Sequence, residues 1–331
     1  MPDASFDVIG IGNAIVDVLS HADDEFIQTH KLNKGAMTLI DAEQAESLYR
    51  AMGPGLEASG GSAANTLAAV AGMGQRAAYI GKVRDDELGR IFAHDIRSVG
   101  VAFDTALAGD SAPTARCLIL VTPDAQRTMN TYLGACVELG PEDVDEALIA
   151  KSSVLYLEGY LWDPPRAKEA FLKAMAAART AGRKVSLSLS DGFCVDRHRA
   201  EFLDLVDQQV DILFANEDEI CSLYQVDEFD AALQAVRDKC EIAALTRSEK
   251  GSVVVSGDEI HVIDPEPVAK VVDTTGAGDL YAAGFLAGYT QGRNLHDCGR
   301  MGSIAAAEII SHMGARPEAD LAALVRQRLG S

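Results

Sequence analysis

Residues 272–279 read Val-Asp-Thr-Thr-Gly-Ala-Gly-Asp and run straight into Leu280-Tyr281-Ala282-Ala283-Gly284-Phe285-Leu286. No other stretch limits the fold so strongly. Two glycines separated by one alanine let the chain turn back tightly, and the run that follows is apolar on every side, which predicts a buried helix. The first-turn N–H groups of such a helix have no partners within it, and its dipole is positive at that end. Gly276, Ala277 and Gly278 are therefore placed to cradle an anion, with the carboxylate of Asp279 in the same turn. An acid there can take a proton from an attacking hydroxyl while the amides hold the charge that develops. The plainer reading is that Asp279 merely favours a helix N-terminus and the glycines merely make a turn.

Bulk properties narrow the classes further. With 331 residues, 48% of them hydrophobic, the chain can bury a sizeable core as one large α/β domain or two smaller ones. A net charge of −21 without basic clusters argues against nucleic acid as a partner. The six cysteines are scattered and form no C-x-x-C, so they read as reduced, mostly buried thiols. The seven histidines show no metal-binding spacing. No basic-then-apolar leader opens the sequence and no apolar stretch approaches a membrane span, so a cytoplasmic protein without a membrane partner is expected.

In chain order, 6–11 is a short β-rich run ending among glycines, but a dinucleotide G-x-G-x-x-G fails because position 15 is Ile15. Asn13, Ile15 and Asp17 share one face if the chain stays extended, which suggests a ligand surface or a solvated edge strand. A helix is expected over 23–31, a strand over 36–40, and a helix capped by Asp41 to about 52. Gly60-Gly61-Ser62-Ala63-Ala64-Asn65 opens a small-residue helix, and its glycines let backbone approach a ligand; Ser62 could equally be only the N-cap. Between about 99 and 134 the pattern turns to strands, at 115–121 and 126–133, outside the main core. From about 141, strands near 153–158, 184–190, 210–215 and 242–246 alternate with helices near 165–181, 197–206, 216–224 and 229–240, arguing for a parallel sheet covered on both faces. A hairpin at 253–263 and three helices near 277–290, 294–312 and 317–329 complete the chain.

Several residues have both a structural and a functional reading. Asn216 and Glu219 have the spacing of a capping box, yet a capped helix start can also present a carboxylate to a metal shell. Arg127, among the outlying strands, is either a surface arginine or one that reaches a transferred phosphate. Tyr160 and Trp162, near a strand end, could pack on an aromatic ligand or on the core. There is no Walker A loop.

Asp273-Thr274-Thr275-Gly276-Ala277-Gly278-Asp279, followed by an aromatic and small residues, resembles the second signature of the PfkB (ribokinase-like) carbohydrate kinases. Gly60-Gly61 with Asn65, Gly72, Gly74 and Gly81 resembles the first. Asn216-x-x-Glu219 matches the family's N-x-x-E motif, and Thr246 to Gly251 lies where it has T-x-G-x-x-G, with Ser248 in place of the first glycine. Within the family the chain leans toward the adenosine kinases. The start Gly12-Asn13-Ala14-Ile15-Val16-Asp17 looks like their G-N-x-x-x-D, and 185–190, 210–216 and 305–317 are also similar.

The resemblance implies a ribokinase-like three-layer α/β sandwich with a mostly parallel central sheet, built from 1–12, 41–98 and 135–331. A small β-sheet lid comes from 13–40 and 99–134. It implies an ATP-dependent kinase that phosphorylates a primary hydroxyl, with adenosine to AMP foremost and ribose, fructose, inosine or guanosine as alternative acceptors. Asp279 would be the base, with the Gly276, Ala277 and Gly278 amides as anion hole. Asn13, Asp17, Gly60, Gly61, Ser62, Asn65, Tyr160 and Arg127 would hold substrate. Asn216, Thr246, Gly251, Gly276 and Gly278 would meet ATP, Glu219 would order Mg²⁺-bound water, and Asp273 and Thr275 would serve a monovalent cation such as K⁺. Met37 stands where some relatives carry a polar residue near the base, which weakens the adenine assignment. Relatives with such lids occur as monomers or homodimers. A nucleoside or sugar sensor without turnover is the reading from a different class, and retention of Asp279 argues against it.

Overall fold

The computed structural model describes residues 4–124 and 126–330. Its strands are β1 Phe6–Ile11, β2 Ile15–His21, β3 Met37–Leu39, β4 Leu56–Gly60, β5 Ala77–Ile80, β6 Val101–Ala102 and β7 Ala115–Val121. Then come β8 Arg127–Tyr132, β9 Ser152–Glu158, β10 Lys184–Ser188, β11 Ile212–Asn216, β12 Ile242–Thr246, β13 Ser252–Ser256 and β14 Glu259–Ile263. One sheet runs β14-β13-β12-β11-β10-β9-β1-β5-β6, and a second runs β3-β8-β7-β2-β4. In the large sheet every pair from β12 to β6 is parallel, and only β13 and β14 are antiparallel additions.

Central strands of this sheet are apolar on both faces, as parallel strands covered on both sides must be. Val8 of β1 and Val154 and Tyr156 of β9 enter one core cluster, with residues of helices Ser62–Gly72, Glu87–Ser98, Ala277–Thr290, Leu295–Ile309 and Leu321–Leu329. Their neighbours Ile9, Ile11, Leu155 and Leu157 enter the other, under helices Pro165–Thr180, Gly192–Gln208, Glu217–Tyr224 and Phe229–Val236. The result is the expected three-layer sandwich.

Two boundaries of the small sheet and one helix start differ from expectation. The small sheet takes a third stretch of chain, because β4 pairs antiparallel with β2 although it lies within 41–98. Its sequence, Leu-Glu-Ala-Ser-Gly, has no long apolar run to betray a strand, and its edge position explains why. Conversely β6, within 99–134, pairs with β5 and belongs to the large sheet. Helix Gly192–Gln208 starts earlier than expected, since the Asp191 side chain caps it at the Cys194 amide, 2.6 Å away.

Helix Ala277–Thr290 is apolar all round and buried from Leu280 to Gly288. It lies hard against Leu295–Ile309: a Cβ on Gly284 would sit 2.4 Å from the Met301 carbonyl oxygen. Backbone cannot yield as a side-chain tip can, so Gly284→Ala is expected to destabilise the fold by about 2 kcal/mol, the usual scale of overpacking. Urea unfolding of the variant checks this; an unchanged midpoint would show that the two helices can separate freely.

Candidate active site

The parallel strands end together on one edge of the sheet, at Ile11, Glu158, Ser188, Asn216 and Thr246. Ligands of open α/β sheets bind at this carboxyl edge. Helices Ser62–Gly72 and Ala277–Thr290 pack together and bring their N-termini to the same place. Gly276 caps the second helix with φ +78°, a left-handed conformation that glycine adopts without strain. Asp279, half-buried in the first turn, accepts from Ser62 Oγ at 2.6 Å and from Asn65 Nδ2 at 3.2 Å. Ser62 is therefore not the N-cap; Gly61 is, with φ +94°, and the serine hydroxyl is turned to the acid.

Ala277 differs from expectation. Its N–H already donates to the Thr274 carbonyl at 3.2 Å, whereas the amides of Gly276, Gly278 and Asp279 have no protein acceptor among the described residues. Those three amides are the free donors at this helix end. Burial pushes the Asp279 carboxyl up, against the pull of Ser62, Asn65 and the Arg316 charge.

Cross-strand register sets the opposite wall. Ile15, Asp17 and Leu19 share a face with Cys117, Ile119 and Val121 of β7 and with Arg127 and Met129 of β8. Met37 and Leu39 of β3 lie on it too, and Cys117, Ile119 and Val121 pack with Ile15, Leu19, Met129 and Met313. Apart from Asp17, Arg127, Thr131 and His21 this face is apolar. No protein donor satisfies Asp17 among the described residues, and burial raises its carboxyl to about 6, while Arg316 and Arg127 pull it down. Gly60, the β4 partner of Ile15, leaves room for the Asp17 carboxylate, since a Cβ there would lie 2.4 Å from Asp17 Oδ2 and force it to move. Asp17, Gly60, Gly61, Ser62 and Asn65 are thus brought together.

Asn13 departs from the expected role. It is buried, its amide Nδ2 donates to Glu158 Oε1 at 2.8 Å, and its Oδ1 accepts from Cys136 Sγ at 3.1 Å. Both ends of the amide are held by protein. Tyr160 stays half-exposed at the end of β9 and donates to the Ser190 carbonyl at 3.1 Å. Trp162 belongs to the core, packed between Phe171 and Phe202 with its indole N–H on Glu201.

At the other end of the edge, Asn216 and Thr246 are register partners on β11 and β12. Glu219 N donates to Asn216 Oδ1 at 2.8 Å and Asn216 N to Glu219 Oε2 at 3.0 Å, a complete capping box. Glu219 is 6% exposed, and burial lifts its carboxyl to about 7, with the Asp191 and Asp218 charges adding to the shift. Asn216 Nδ2 also donates to Glu219 Oε1 at 2.7 Å, so both carboxyl oxygens have a partner within the box. Among the described residues no group of three acidic, histidine or cysteine side chains could hold a metal directly, so a cation here would be met through water. Ser248 adopts φ +50°, so the serine follows the left-handed path usually given to glycine. Gly251, at φ +81°, has room for no Cβ, which would meet the Ile263 carbonyl at 2.1 Å.

Arg127 and Asp273 meet each other. Their buried ion pair joins the small sheet to the anion turn, and Asp273 also accepts from Thr275 N at 3.0 Å and Gly314 N at 3.1 Å. With a guanidinium and two amides already on this carboxylate, the site does not fit a resident monovalent cation. It also holds Arg127 away from the role expected of a free phosphate-seeking arginine.

Two residues escaped the sequence reading. Arg316 donates to Ser59 O at 2.6 Å, Ser59 Oγ at 2.7 Å and Ala64 O at 3.0 Å, and its charge faces Asp17 and Asp279. Glu158 is fully buried beside Asn13 and Ala63. Neither lies in a recognisable spacing; only the fold brings them in.

The profile of the pfkB family carbohydrate kinases matches residues 37–321. The chain belongs to that family, whose kinases are phosphotransferases acting on hydroxyl groups with ATP. Its fold is accordingly ribokinase-like. It is similar to the solved structure of adenosine kinase from Sinorhizobium meliloti, 55% identical over 98% of this chain and 100% of that one, with TM-score 0.90. A probable sugar kinase from Rhizobium etli CFN 42 is 54% identical, covers 99% of both chains and has the same TM-score. Adenosine kinase of Saccharomyces cerevisiae is 27% identical over 331 residues, 93% of this chain and 95% of it. No helix among the described residues is long and apolar enough to cross a membrane.

The raised carboxyls fix a pH dependence of stability. Asp17 moves from 3.8 to about 6, and Glu158 and Glu219 from 4.5 to about 7. The folded state therefore binds more protons than the unfolded chain between about pH 4.5 and 7. Stability must fall as pH rises through that window, by roughly 1.4 kcal/mol per unit and per group at most. Carboxyls held low, such as Asp124 at about 2, are ionised in both states there and do not contribute. Calorimetry should show Tm decreasing from pH 5 to 7.5, with a shallower slope in Asp17→Asn; a Tm that rises across this range would contradict the assignment.

Proposed function

We propose that this sugar/nucleoside kinase transfers the γ-phosphoryl group of ATP to the primary hydroxyl of a nucleoside, with adenosine the foremost acceptor and AMP the product. The observation that carries the reading is Asp279, hydrogen-bonded by Ser62 and Asn65 beside the free amides of Gly276, Gly278 and its own residue. Asp279 takes the hydroxyl proton as the new O–P bond forms and the bond to the ADP bridging oxygen breaks. The free amides at the helix N-terminus hold the charge that accumulates on the phosphoryl oxygens. Magnesium, held through water at Glu219 and Asn216, would supply further neutralisation of the phosphates.

Asp17 supports the acceptor class, since an unpartnered carboxylate can accept from two neighbouring hydroxyls. The face around it supports a nucleoside over a free sugar. Ile15, Leu19, Ile119 and Met129 offer apolar area suited to a base and no hydrogen-bond partners for further hydroxyls. Likeness to the Sinorhizobium meliloti adenosine kinase over nearly the whole chain points the same way.

Steady-state assays with Mg·ATP and adenosine, inosine, ribose or fructose test the acceptor. Adenosine should have a kcat/KM at least tenfold above the rest, and parity with ribose would end the nucleoside assignment. Asp279→Asn should lower kcat by about 10²–10⁴ while adenosine binding, measured by calorimetry, changes only a few-fold. Unimpaired turnover in that variant would remove Asp279 as the base.

A further inference from the structure

Glu158 ends β9 with 0% exposure, and no lysine, arginine or histidine bonds to it among the described residues. Its Oε1 accepts from the Asn13 backbone N–H at 2.7 Å and from Asn13 Nδ2 at 2.8 Å, and its Oε2 accepts from the Ala63 N–H at 2.7 Å. These donors come from two separate elements, the loop after β1 and the first turn of helix Ser62–Gly72. Ala63 supplies one of the first-turn amides that its own helix cannot satisfy. An uncompensated buried charge is costly: burial pushes the Glu158 carboxyl up to about 7, and the three N–H donors pull it back down by favouring the ionised form.

The surrounding backbone is fitted to that carboxylate. A Cβ on Gly12 would lie 2.3 Å from Glu158 Oε2, and one on Gly61 would lie 2.1 Å from the Asn13 carbonyl oxygen. Glycine at both positions is what lets the Asn13 loop and the Gly61–Ala63 turn close around it. Ser62, adjacent to Ala63 in the chain, is the residue whose hydroxyl holds Asp279.

We propose that Glu158 is a positioning residue: its carboxylate ties the Asn13 loop to the Gly61–Ala63 turn and so fixes where Ser62 holds Asp279 and where the acceptor is seated. An acid that only filled space could be replaced by its isosteric amide. An acceptor of three N–H groups cannot, because glutamine has one acceptor oxygen and its NH₂ would face an N–H. The kinetic consequence rests on the kinase reading above; the structural consequence does not.

The test compares Glu158→Gln and Asn13→Ala with the wild-type chain, using whichever of adenosine, inosine, ribose and fructose the wild type phosphorylates best. Glu158→Gln should raise the acceptor KM and lower kcat at least tenfold each, leaving the ATP KM within twofold. Hydrogen–deuterium exchange of the apoprotein should quicken in 10–16 and 61–66 but not in 277–290. Asn13→Ala, which removes one of the three donors, should shift the same quantities in the same sense, about threefold, and carries the test if Glu158→Gln does not fold. An unchanged acceptor KM with unchanged exchange, or equal losses in both KM values, would overturn the proposal. A wild type inert toward all four acceptors would count against the proposed function, while the exchange comparison would still judge Glu158.

Discussion

Two helices meet N-terminus to N-terminus at the hydrogen bond between Ser62 Oγ and Asp279 Oδ1, and most of the molecule serves to keep them there. Helix N-termini repel one another through their positive ends, so such a meeting needs negative charge between them. Asp279 supplies it. The Glu158 carboxylate, on Ala63 N of the same first turn, supplies more. An anionic phosphoryl group entering between the helices would continue the pattern rather than disturb it.

Close packing makes the arrangement rigid. Gly284 and Gly302 let helices Ala277–Thr290 and Leu295–Ile309 touch through backbone. The loop after the second helix then returns to the anion turn, where Gly314 N bonds Asp273 and Arg316 clamps Ser59 and Ala64. Strand β4, helix Ser62–Gly72 and the final loop are thereby held as one unit around the acid. The role proposed for Asp279 calls for such firmness, because small misplacements of a reacting group cost large factors in rate.

Much of this was legible in the amino-acid order, for identifiable reasons. Apolar strands alternating with helices pointed to a parallel sheet covered on both faces, and the Gly276–Asp279 turn, ambiguous by its spacing alone, stood out through its resemblance to the second PfkB signature. The capping box of Asn216 and Glu219 was visible because its geometry is local. What stayed hidden depends on residues far apart in sequence. Glu158 meets Asn13 across 145 positions, and Arg127 meets Asp273 across 146. The edge strand β4 carried no run to mark it. Ala277 looked like a member of the anion cradle because its neighbours are, and only the backbone trace shows its N–H turned to Thr274.

The two walls of the site divide its work by chemistry. Around Asp279 the carboxylate is fixed by Ser62 and Asn65, while the Gly276, Gly278 and Asp279 amides and Asn65 Oδ1 are left without protein partners among the described residues. The face carrying Asp17 is nearly all hydrocarbon, and apolar contact selects by size and shape rather than by hydrogen-bond pattern. On the proposed reading, transfer depends on the helix termini, while the choice of acceptor depends on side chains such as Met37, Cys117 and Met129 that share a face only through strand register. Chains named for adenosine and for sugar both share more than half their residues with this one, which is compatible with that division. On that reading, exchanging a few apolar side chains on one small sheet would redirect the site without touching Asp279.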